Sequence, residues 1–132
     1  MLTLPASITT LDLVANGLAA AGFLGIGLVG FFAPTRVTSF FGIPALTHAG
    51  ASEVRGVYGG CGLALAVLLV WTLWLPAATP GAQLAVGVAL GGMAAGRGAS
   101  CVLQRSCDRF TATSLLSEAA VTTLLLAAWH DS

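Results

Sequence analysis

The sequence predicts an all-α protein, an integral membrane four-helix bundle with antiparallel, up-and-down topology. Three observations predict it. The chain of 132 residues is 57% hydrophobic and only 8% charged, whereas a soluble domain carries roughly 25% charged residues. Its mean hydropathy is +0.94. Its apolar residues gather into four runs, each long enough for the roughly 20 helical residues that cross a hydrocarbon core of about 30 Å. The same composition excludes a soluble enzyme domain, a basic nucleic-acid binder and a disordered tail. The runs are continuous rather than alternating, which argues against a barrel of short strands.

The first run covers residues 11–32 and closes at Pro34, which cannot continue the helical ladder. Met1 to Leu11 contains no Lys or Arg and the run is long, so we read a retained membrane helix and not a cleaved signal peptide. Residues 33–50 form the longest loop. Its segment Thr35 to Phe41 mixes Val37, Phe40 and Phe41 with Arg36 and Thr38, a pattern that fits either a short interfacial helix or an irregular loop. The second run covers 51–75. Pro76, Pro80 and Gly81 then predict a tight reversal. The third run covers 83–102, and Cys107, Asp108 and Arg109 make a polar corner before the fourth, 112–129. All 132 residues read as a single four-span domain.

Orientation follows from the basic residues. Arg36 lies in the first loop and Arg105 and Arg109 in the third, while both tails and the second loop carry none. The positive-inside rule puts loops one and three in the cytoplasm and both termini outside, in a bacterial inner membrane. Trp71, Trp74 and Trp129 fall at the termini-facing ends. Phe31, Phe32, Phe40, Phe41 and Phe110 fall at the other boundary, giving interfacial rings at both levels.

The ionisable residues inside the runs are the candidate site, because a charge at mid-membrane costs about 2.5–3.5 kcal/mol on insertion scales. At about 1.5 Å per residue, Arg55 lies about 6 Å inside its span, Arg97 about 7–8 Å, Glu118 about 9 Å and Tyr58 about 10 Å. All are measured from one face, so Glu53, Arg55, Arg97 and Glu118 share a thin stratum and sum to zero charge. Glu118 is expected to contact Arg97, Arg55 or both, since the Arg fork suits a carboxylate. Ser114, Glu118 and Thr122 recur every fourth residue and share a helical face. Asp12 and Asn16 make a similar pair at the far end of the first span, with Gln83 near their level. The layer reads either as an internal clasp that fixes register or as a site for a polar ligand or proton.

Glycines supply candidate packing positions. Gly56 with Gly60, Gly87 with Gly91, and Gly92 with Gly96 form G-x-x-x-G pairs. In lipid, small residues let helices approach closely, either within the bundle or between two copies.

The stretch Glu53-Val54-Arg55-Gly56-Val57-Tyr58-Gly59-Gly60 reads E-x-R-x-x-Y-G-G. It resembles the DoxX-like small four-helix membrane proteins, in particular an uncharacterised bacterial branch of them. Pro34, Gly96-Arg97 and Glu118 stand where that branch has a proline, a G-R pair and a glutamate. The resemblance covers nearly the whole chain. It implies that Glu53, Arg55, Tyr58, Arg97 and Glu118 act as a unit. The broader family is associated with thiosulfate–quinone and redox-stress roles.

Other chemistry finds little purchase. His48 and His130 fall on opposite sides of the membrane, which excludes a bis-histidine haem. Cys61 reads as a small buried residue, and Cys101 and Cys107 as a reduced pair on the cytoplasmic side, a disulfide becoming reasonable only if the orientation were inverted. No metal spacing, nucleophile elbow or nucleotide loop is present, and no cofactor is expected. Three functions stay open. The leading one is a non-catalytic accessory subunit, packing in a larger membrane assembly or with itself. The others are a small-molecule or proton-coupled transporter and a quinone-linked oxidoreductase.

Overall fold

The computed structural model describes residues 8–131. Among the described residues all regular structure is helical, and four helices are long and apolar enough to cross a membrane: Thr10–Phe32, His48–Thr72, Pro76–Leu103 and Arg109–His130. The protein is therefore a multi-pass membrane protein by length and composition.

Helix α1 (Thr10–Phe32) opens with a capping box. The Thr9 hydroxyl accepts from the Asp12 amide at 3.1 Å, and the Asp12 carboxylate accepts from the Thr9 amide at 2.8 Å. This satisfies amides that have no partner inside the helix. Helix α2 (Pro34–Ser39) follows at once, with Pro34 in its first turn, where a missing N–H costs nothing. It resolves the first loop in favour of a short helix that buries Val37 and Thr38. Gly42 turns the chain at φ 75.

Helix α3 (His48–Val54), capped by the Thr47 hydroxyl, runs into a π-helical segment, Arg55–Gly60, and then helix α4 (Cys61–Thr72). The π segment coincides with most of the E-x-R-x-x-Y-G-G stretch, and the Cys61 amide bonds back to the Gly56 carbonyl. A 3₁₀ turn, Pro76–Ala78, leads into helix α5 (Thr79–Leu103). The reversal is tight, as the sequence reads, but Pro80 and Gly81 already belong to α5: Pro in a first turn suits a helix start. The Thr79 hydroxyl closes the corner on the Thr72 carbonyl at 2.6 Å. Helix α6 (Arg109–His130) completes the bundle.

The helices pair as α1 with α4 and α5 with α6, and α1 also meets α6. The core is made of Ala15, Ala19, Ala20, Leu69, Val86, Leu90, Leu125 and Ala128. Small residues dominate it, so backbones lie close. A Cβ on Gly27 would sit 2.8 Å from the Leu63 amide nitrogen, and one on Gly59 would sit 2.9 Å from Phe31 Cα. Glycine is required at such a crossing. Gly87 and Gly91 pack against Leu126 and Thr122 of α6. Gly56, Gly92 and Gly96 meet nothing within 4 Å of a Cβ, and Gly60 meets only the Arg55 carbonyl. The α1–α4 contact thus uses Gly59 and Gly62 where the sequence singles out Gly56 and Gly60, because the π segment turns a different face toward α1. Cys61 is exposed and not buried, as are many large apolar side chains such as Val67, Val88 and Leu116. That pattern suits a surface solvated by lipid.

Candidate polar site at Arg97 and Glu118

Arg97 and Glu118 meet across the α5–α6 pair. Arg97 Nε donates to Glu118 Oε2 at 2.9 Å and to Oε1 at 3.1 Å. The side chains are 25% and 12% exposed. Helix α5 carries Arg97 and helix α6 carries Glu118 to a common level because the two helices form a hairpin closed by a short corner. Each charge offsets part of the other's desolvation cost.

Among the described residues, one of the five N–H donors of Arg97 is used, and the two terminal nitrogens have no partner. Arg97 lines a cleft of about 320 Å³ together with Met93, Gly96, Ser100 and Thr111. Met93 and Gly96 are exposed on the flank of α5, so the cleft opens sideways toward lipid. Ser100 and Thr111 escape the sequence reading, because isolated hydroxyls in apolar runs give no signal of their own. One turn beyond Glu118, the buried Thr122 hydroxyl has no partner.

The other residues read as one layer separate from this pair. Arg55 Nε donates to the Phe31 carbonyl at 3.1 Å, capping the end of α1, and makes no bond to Glu118 among the described residues. Tyr58 lies against Gly30 and tilts over Phe41 at 6.2 Å between ring centroids. Phe41 and Phe40 in turn contact Phe110 at the start of α6. Glu53 is exposed. A shared depth therefore divides into a neutral pair on α5–α6 and a clasp of Arg55, Tyr58 and Gly59 that fastens the second span to α1. Depth alone does not say which way a residue points around its helix.

Cys101 and Cys107 are joined in a disulfide, their Cα atoms 4.7 Å apart across the turn in which Arg105 adopts φ 51. This corrects the reduced pair: the corner between α5 and α6 doubles back tightly enough to bring the sulfurs together. The bond fastens the hairpin beside the Arg97 cleft.

A second polar centre lies at the opposite end. Gln83 Nε2 donates to Asp12 Oδ1 at 2.7 Å and to Asn16 Oδ1 at 3.0 Å. Asn16 Nδ2 donates to the Leu69 carbonyl at 3.3 Å, and the Thr72 hydroxyl donates to the same carbonyl at 3.1 Å. Eight residues of α5 separate Gln83 from Gly91, which faces Thr122; that is about 12 Å. The interval is filled by Val86, Leu90 and Leu125, so the two centres are separated by an apolar plug. Among the described residues no three His, Cys, Asp or Glu side chains converge as metal ligands.

Fold and site together define a small multi-pass membrane bundle built around an intramembrane Arg–Glu pair. The chain belongs to the family described as Domain of unknown function (DUF4345), which matches residues 13–129. No curated protein and no solved structure matches the chain. The wider likeness to DoxX-like proteins rests on the motif.

Proposed function

We propose that this protein binds the head group of a neutral, membrane-soluble amphiphile at Arg97, with a quinone-type carbonyl as the fitting chemistry. The carrying observation is the pair of unpartnered terminal nitrogens of Arg97 in a cleft that opens on the lipid-facing flank of α5. Glu118 already neutralises Arg97, so an anionic head would leave the site with a net charge in a low dielectric, whereas a carbonyl acceptor would not. Ser100 supplies a further hydroxyl donor. Binding, and not electron transfer, is the activity proposed; the bilayer of a bacterial inner membrane is the expected setting.

Titration of the purified protein in nanodiscs with a short-chain quinone tests this reading. Saturable stabilisation is expected, with affinity falling about tenfold or more in Arg97→Gln, the loss expected for hydrogen bonds to a charged donor. Arg55→Gln should bind as the parent does. Tighter binding of an anionic amphiphile of equal chain length overturns the neutral-head reading.

A second observation favours an accessory subunit. Thr113, Ser117, Ala120, Thr123 and Ala127 form an exposed stripe of small side chains along α6. Small residues on an uncovered membrane helix let another helix approach closely. A partner that co-purifies in mild detergent and is lost in Ala120→Leu supports that role.

A further inference from the structure

The disulfide and the Arg97 cleft share one end of the α5–α6 hairpin. Cys101 stands four residues after Arg97 on α5, so the two side chains leave the same helical face, about 6 Å apart along the axis. Between them Ser100 lines the cleft. Cys107 stands four residues before Thr111, which lines the cleft from α6. The bond thus closes the corner end of the cleft from both helices.

The bond is also accessible. Cys107 is exposed and Cys101 is half-buried. A disulfide that only stabilises gains most by closing a long loop, whereas this one joins residues with a sequence separation of 6. Exposed disulfides are the labile ones, open to attack by an outside thiolate. On the cytoplasmic side expected from the loop arginines, soluble thiols supply that attack. A quinone carbonyl on the terminal nitrogens of Arg97 would stand within one helical turn of the Cys101 position. An acceptor from the bilayer and a donor from the aqueous phase therefore reach the same corner by different routes.

We propose, resting on the quinone-binding reading and going beyond it, that this protein oxidises dithiols with quinone as the electron acceptor. An outside dithiol attacks the Cys101–Cys107 bond, and two exchange steps leave it a disulfide and the pair reduced. The Cys101 and Cys107 thiols then give two electrons and two protons to the bound quinone. Their S–H bonds break, the S–S bond forms again, and the quinone leaves as quinol. The net reaction is dithiol plus quinone to disulfide plus quinol. The Arg97 donors face the oxygen on which negative charge develops, which favours that step.

The full chain in nanodiscs is reduced, freed of reductant and mixed without oxygen with a fully substituted short-chain quinone, to which thiols do not add. One quinone should be consumed for every two thiols lost, with Cys101 joined to Cys107 in the peptide mass spectrum. Added dithiol should make the consumption continuous. Cys61→Ser should match the parent, and Cys101→Ser and Cys107→Ser should consume none. Arg97→Gln should react about tenfold or more slowly at subsaturating quinone, following its loss of affinity. The parent stoichiometry keeps the test open should a cysteine variant fail to fold. Quinone that stabilises the protein yet leaves the pair reduced overturns the oxidation and leaves the binding reading standing. Neither stabilisation nor consumption overturns both. Oxidation as fast in Arg97→Gln as in the parent means that quinone reacts outside the cleft, and overturns the coupling.

Discussion

The two polar centres of this bundle solve the same problem differently. At Arg97 and Glu118 the charges cancel, and the donors left over face a cleft open to lipid. At Asp12, Asn16 and Gln83 the hydrogen bonds are denser, burial is nearly complete, and the carboxylate is met by the Thr9 amide and hydroxyl and by Gln83 Nε2. The first is balanced by opposite charge and sterically open; the second is satisfied by hydrogen bonds and sterically closed. A balanced pair has spare donors to offer a neutral ligand.

The largest expected effect comes from unbalancing the first centre. Glu118→Gln leaves Arg97 charged and unpaired, and should cost about 3 kcal/mol, since removing one member of a buried pair strands the other. Arg97→Met with Glu118→Leu removes both charges and should restore most of the melting temperature while abolishing quinone binding. A double variant no more stable than Glu118→Gln alone would show that the pair itself, and not the stranded charge, sets stability.

Much of this architecture is readable before folding is considered. Four apolar runs, Pro34 and the absence of alternation specify the bundle, because lipid forces the backbone to satisfy itself within each span. Arg97 and Glu118 are readable from shared depth and opposite sign. The capping box was also within reach, since Thr9 and Asp12 stand three apart before an apolar run. That Arg55 turns to the Phe31 carbonyl and not to Glu118 is not readable, because its azimuth depends on the π segment, which no residue pattern announces. The same segment shifts the packing face from Gly56 and Gly60 to Gly59 and Gly62. That Gln83 Oε1 is buried without a partner among the described residues is invisible in sequence, since it depends on which way one amide points.

The centres also differ in what positions them. Asn16 reaches the Leu69 carbonyl across the α1–α4 contact, whose spacing is set by Gly27 against Leu63. Gly27→Ala forces those backbones apart and should cost about 1–3 kcal/mol, the range for overpacking a tight contact. It should speed hydrogen exchange of the Asp12 amide and leave quinone binding at Arg97 unchanged. Gly92→Ala, where a Cβ meets nothing within 4 Å, should be neutral in both assays.

The Arg97 centre depends instead on the hairpin fastened by Cys101 and Cys107. Reducing this short closed loop should cost about 2 kcal/mol in the chain-entropy picture and loosen the cleft without affecting Asp12. Sulfur proximity permits the bond, but the compartment decides whether it persists. Three loop arginines on this face against none on the other make the cytoplasm its expected side. After mild reduction of the disulfide, an impermeant thiol reagent should therefore label these cysteines only in permeabilised cells. Labelling of intact cells after mild reduction would reverse the orientation.

The smallest effect concerns the corner itself. Asp108 precedes α6, is fully exposed, and has its carboxyl held below the ordinary carboxylate value of 3.8. The Thr111 hydroxyl is the main cause, helped by the amides of Thr111 and Phe110, although no closed side-chain cap forms. A depressed folded value means that the unfolded chain takes up this proton first. The stabilisation is therefore complete above the unfolded value and is lost as pH falls below 3.8 through the folded one. Asp108→Asn should remove that slight acid sensitivity from the melting curve. Because Thr111 lines the Arg97 cleft while the Asp12 centre lies at the other end, the variant should perturb quinone binding slightly and hydrogen exchange of the Asp12 amide not at all. An equal change in both would mean that the apolar plug between the centres does not isolate them.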